Sequence, residues 1–109
     1  MRNREDNLKL YDKAVGMSSD FQRKGKTMPY TSSNGYMFSL LNKSGELGIR
    51  MSKNDQTDFK SKYESGIFKS YGATMRDYVL IPQSMIDDSS LLLKYLTIGF
   101  DYVNSLPPK

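Results

Sequence analysis

The sequence predicts an α+β fold in which helices lie over an antiparallel sheet of five strands, in the order α-β-β-β-α-β-β-α. Three observations carry that expectation. Residues 21–51 pass through a basic loop and Pro29, then alternate through two strands around a Ser-Gly turn. Amphipathic segments flank this meander on both sides. The final segment, from Asp87 to Leu106, is apolar nearly all round, which suits a helix laid on a sheet and covered again from outside.

From Arg4 to Val15, Leu8, Tyr11 and Val15 recur at helical spacing, with Leu10 and Ala14 beside them and Lys9, Asp12 and Lys13 turned outward. Gly16 is placed to end this helix. Thr27–Thr31 reads as a short strand that Pro29 confines to an edge or a bulge. Turn chemistry at 32–35 leads into Tyr36–Asn42, where Tyr36, Phe38 and Leu40 alternate with Met37, Ser39 and Leu41. Lys43-Ser44-Gly45 suits a tight hairpin with Gly45 at positive φ. In Glu46–Met51, Leu47, Ile49 and Met51 face inward, and Glu46, Gly48 and Arg50 face outward. A polar outward face means helices on one side of the sheet.

Ser52 reads as the cap of a helix to about Glu64, anchored by Phe59 and Tyr63 and ended by Gly66. Ile67–Tyr71 and Tyr78–Ile81 read as the last two strands, joined through Gly72. The terminal helix is capped by Asp87 or Asp88 and stopped by Pro107-Pro108. Its polar stripe is narrow: Lys94, Thr97, Asp101 and Asn104. Leu93 and Phe100 therefore need cover from another helix or another subunit, and they are candidate residues for a homodimer or partner contact. Gly99 permits close backbone approach.

Composition narrows the chemistry. The 109 residues fit one domain, 1–109, with 38% hydrophobic and 26% charged residues. The chain contains neither cysteine nor histidine. Disulfides, thiolate nucleophiles, histidine-dependent catalysis and the common zinc sites are thereby excluded. No catalytic, cofactor-binding or metal-ligating residues are assigned. Asp55 and Asp58 lie one turn apart, but carboxylates at a helix N-terminus need no catalytic reason. Gly25-Lys26-Thr27 looks like the end of a phosphate-binding loop, yet the glycine required five positions earlier is Asp20, whose carboxylate would repel phosphate. The apolar runs are too short for a membrane span, and the N-terminus lacks the apolar core of a signal peptide, so a cytoplasmic location is expected.

The net charge of +4 is concentrated at the start: residues 1–27 hold seven Lys or Arg against four Asp or Glu. Arg23, Lys24 and Lys26 share one loop and are candidate polyanion contacts, with Tyr30 and Tyr36 nearby for stacking on single strands. Three phosphate contacts would give weak nucleic-acid binding only. A small-ligand site built from Lys26, Tyr71 and Asp77 is a third reading.

With the element order in place, the text resembles the N-terminal domain of the TfoX/Sxy competence regulators, and in particular its small stand-alone bacterial members. The resemblance rests on Arg23-Lys24-Gly25-Lys26-Thr27-Met28-Pro29-Tyr30, then Asn34-Gly35-Tyr36-Met37-Phe38-Ser39, then Leu47-Gly48-Ile49-Arg50-Met51. Tyr71-Gly72, Met75 and Tyr78-Val79-Leu80-Ile81-Pro82 extend it towards the terminal helix. It implies a two-layer domain similar to secretion-chaperone-like folds, with no established catalytic residues and no cofactor. Full-length members carry a second, helical C-terminal domain and regulate competence genes with a cyclic-AMP-dependent transcription activator. This chain is expected to lack that second domain, because it ends at Lys109. The function expected is a non-enzymatic, cytoplasmic interaction or regulatory module that binds a protein partner or itself, with weak nucleic-acid binding as the alternative.

Overall fold

A computed structural model describes residues 3–70 and 72–109. Helix α1, Arg4–Gly16, starts from a reciprocal cap: the Asn3 side chain accepts from the Asp6 N–H, and the Asp6 carboxylate accepts from the Asn3 N–H. Gly16 does not stop the helix in a left-handed conformation; the helix runs through it and closes on Met17 in right-handed geometry. Strands β1 (Tyr30–Ser33), β2 (Tyr36–Leu41) and β3 (Leu47–Arg50) follow as an antiparallel meander. The β1–β2 turn is Asn34-Gly35, both at positive φ, and the β2–β3 hairpin turns at Gly45 with φ +84°.

Helix α2, Lys53–Lys62, is capped by the Ser52 hydroxyl, which accepts from the Asp55 N–H at 3.1 Å. It ends at an extended Tyr63, before the expected stop at Gly66. The short strands β4 (Lys69–Ser70) and β5 (Ala73–Thr74) come next, then β6 (Tyr78–Leu80), the single turn α3 (Gln83–Ile86) and α4 (Ser89–Asn104). Asp88 caps α4 by accepting from the Leu91 N–H.

The expected five-stranded sheet is corrected. The main sheet has four strands in the order β1-β2-β3-β6, and β4 pairs with β5 in a separate two-stranded ribbon. The expected strand Ile67–Tyr71 is reduced to Lys69–Ser70, and Tyr71 lies outside the described residues. The reason is Phe68. Its ring sits over Gly48 of β3, in space that any β-carbon at that position would occupy, so the chain crosses the sheet there and does not join its edge.

Helices α1 and α4 pack on one face of the sheet and on each other. Gly99 brings α4 down onto β3: a β-carbon there would lie 2.9 Å from the Arg50 carbonyl oxygen and 3.0 Å from Ile49 Cγ2. The core beneath holds Tyr11, Phe38, Leu41, Ile49, Leu92, Leu96 and Val103, all without exposed surface. Helix α2 closes the β6 edge, with the rings of Phe59 and Tyr63 5.2 and 6.0 Å from that of Tyr95 of α4.

One irregularity decides what each face of the sheet carries. Thr31 pairs with Ser39 and Ser32 with Met37, so Phe38 is an extra residue and β2 bulges there. Strict alternation would place Leu40 with Phe38. The bulge instead sets Phe38 and Leu41 in the core under the helices, and Leu40 in a separate cluster with Phe68 and Tyr78. Ser39 is turned to the helical side, where its hydroxyl meets Tyr11 at 2.5 Å and also bonds Thr31. The buried side chains at this irregularity thus satisfy one another.

Candidate functional site

The basic loop is less free than its sequence suggests. Arg23 grips Asp12 through two parallel hydrogen bonds, at 2.7 and 3.1 Å, and donates to the Gly25 carbonyl at 2.5 Å. The Asp12 carboxylate, through those bonds, holds the guanidinium pKa above its usual value. Lys24 is bridged to Tyr30 through both backbone groups, and its ammonium lies 3.4 Å from the Ser32 hydroxyl. Lys26 is exposed. The loop therefore covers the β1 edge, with Lys24 and Lys26 as its exposed cations.

Leu93 and Phe100 are both half-buried and packed against the main core. The cover for Phe100 comes from the coil after α1: its ring lies 5.3 Å from that of Phe21 and 5.8 Å from that of Phe38. Asp55 and Asp58 stand on α2 facing the cleft towards Lys94 and Tyr95. Asp77 lies 3.6 Å from Arg50, whose guanidinium rests over the rings of Tyr36 and Tyr102 at 5.4 and 5.8 Å. Lys26 and Asp77 are the described members of the third sequence-derived site; Tyr71 lies outside the described residues.

Two phenols are held neutral well beyond ordinary conditions. Burial pushes the Tyr11 hydroxyl up, against the opposing effect of its bonds to Ser39 and Thr31. Burial, with a hydrogen bond to Tyr63, pushes Tyr95 up to about 12. Both lie within packed layers and serve the fold.

The feature that sequence reasoning missed is the second face of the sheet. It is apolar, not polar. Leu40, Phe68 and Tyr78 form its buried centre, and Met28, Tyr30, Met37, Met75 and Leu80 surround them half-buried. The Tyr78 hydroxyl donates to the Met37 carbonyl at 2.9 Å, fixing β6 across to β2. Among the described residues the segment between α2 and β6 packs over this face through Phe68 and Met75, and it leaves Ile67 65% exposed. The β4–β5 ribbon is tethered by Asn42, whose amide donates to the Lys69 carbonyl at 2.8 Å while its oxygen accepts from the Ser44 and Glu46 N–H groups. Two hollows flank the ribbon. One, of about 360 Å³, is bounded by Met28, Asn42, Lys43 and Lys69. The other, of about 200 Å³, is bounded by Lys60, Ile67, Met75 and Arg76. The run of methionines at 28, 37 and 75 was the available signal, but its members join only through the bulge and the crossing chain.

Among the described residues no group of His, Cys, Asp and Glu could hold a metal ion, and no helix is long and apolar enough to cross a membrane. The fold and this face define a small α+β domain with one helix-covered and one partly open apolar sheet face. No protein-family model matches the chain, and no curated protein matches it.

Proposed function

We propose that this chain is a non-enzymatic interaction module of the TfoX N-terminal-domain type, working in the cytoplasm by holding a protein partner on the open face of its sheet. One observation carries the reading: methionines 28, 37 and 75 surround a small aromatic centre on a face that none of the described helices covers, with Ile67 projecting beside it. Methionine side chains are unbranched and polarisable, so they adapt to a partner's apolar groups at little steric cost. The lack of histidine and cysteine points the same way, towards binding and away from acid–base or nucleophilic chemistry. Weak polyanion binding draws less support, because Arg23 is committed to Asp12. Self-association through Phe100 likewise draws less, because Phe21 covers that ring within the chain.

The test is capture from a lysate of the native host by the immobilised chain, compared with Ile67→Glu. Ile67 is exposed, so the substitution leaves the core intact. A protein retained by the parent and lost by the variant supports the reading. Equal retention by both contradicts it.

A further inference from the structure

The rim of the open face is basic. Lys43 and Lys69 border the larger hollow, and Lys60 and Arg76 the smaller; all four are exposed. None of them forms an ion pair with a carboxylate among the described residues. Two acidic groups close in sequence to these cations are engaged elsewhere. Asp77, next to Arg76, reaches Arg50, and Glu46 accepts from the Asn42 amide. The larger hollow is lined mainly by polar groups beside Met28, and the smaller by Ile67, Phe68, Met75 and Tyr78. A positive border around a partly apolar surface complements a ligand that is apolar where it enters and negative where it leaves.

From this arrangement we propose that the partner presents an acidic, apolar peptide segment, with an aliphatic side chain seated in the smaller hollow beside Ile67 and Met75 and carboxylates over Lys43, Lys69, Lys60 and Arg76. The inference rests on the docking reading above and specifies its ligand. The geometry separates this ligand from its rivals. A second copy of the chain would bring four like charges against four, which opposes association through this face. A membrane surface is too broad to enter a hollow of about 200 Å³. Nucleic acid needs open ring faces for stacking, whereas Phe68 and Tyr78 are buried.

The experiment is selection from a displayed library of random 16-residue peptides, with the intact chain as bait and Ile67→Glu as counter-bait. Synthetic versions of the enriched peptides are then titrated by fluorescence anisotropy against the parent and a Lys69→Glu/Arg76→Glu variant. Both substituted residues are exposed, and retained melting temperature confirms that the variant folds. The expected result is enrichment of net-acidic peptides that carry an aliphatic residue. Their affinity should drop at least about tenfold in the charge variant and weaken with added salt. Enrichment that depends on Ile67 but shows no acidic bias, or binding unaffected by charge reversal, overturns this inference while leaving the docking face standing. Enrichment blind to Ile67→Glu, or none at all, overturns both. Anionic vesicles or a labelled DNA single strand that bind as tightly as the peptides, and compete with them, also overturn it.

Discussion

The ring of Phe68 occupies the place where a side chain at position 48 would stand, so the bare backbone of Gly48 is its floor. Phe68 is 1% exposed in that position. This contact anchors the chain that crosses the open face, and it explains why Ile67–Tyr71 does not become a fifth strand of the main sheet.

Gly48→Val should therefore destabilise by about 1–3 kcal/mol through overpacking, although valine suits a strand better than glycine. Phe68→Ala alone should cost about 3–5 kcal/mol, and the two effects should be strongly coupled. Denaturant melts of both single variants and the double variant check this. The valine should cost far less once the ring is gone. Simple additivity would separate the two residues.

At the β2–β3 hairpin, Gly45 combines φ +84° with close packing: a β-carbon there would lie 3.0 Å from the α-carbon of Arg4. Gly45→Val should thus cost more than the ~0.5–1 kcal/mol usual for a glycine replaced within regular structure. Thermal unfolding reads the loss, and an unchanged midpoint would contradict the turn.

Alkaline stability follows from Tyr11 and Tyr95. Both have folded-state pKa values raised by burial, Tyr95 to about 12, whereas an unfolded tyrosine ionises near about 10. Stability is then fully present below about pH 10 and falls as the pH rises beyond it, because only the unfolded chain releases these protons readily. Urea midpoints measured from pH 8 to pH 12 should show that fall. A Tyr11→Phe/Tyr95→Phe chain should lose less over the same range; an equally steep fall would assign it to other groups.

Much of the framework was legible because it depends on local periodicity. The spacing of Tyr11 and Val15, the cap at Ser52, the hairpin at Gly45 and the close approach at Gly99 are all written in short stretches of sequence. What was not legible depends on residues distant in the chain. The bulge at Phe38 involves Thr31, Ser39 and Tyr11, from three different elements, and it reverses the face assignment of Leu40. Phe21, the cover of Phe100, lies in a coil with no periodicity to mark it. Arg23 looks free until α1 brings Asp12 beside it. The candidate face was hidden for the same reason: without the bulge and the Phe68 crossing, its methionines belong to no common surface.

The central claim is that the open sheet face, and no other apolar surface, meets the partner. Site-specific photo-crosslinking in living host cells tests it most directly, with the reactive residue placed at Ile67 or at Met17, the two exposed large hydrophobic positions among the described residues. The account expects a discrete protein adduct from position 67, abolished by Lys69→Glu/Arg76→Glu, and no such adduct from position 17. An adduct from position 17 alone, or the same adduct from both, would contradict it.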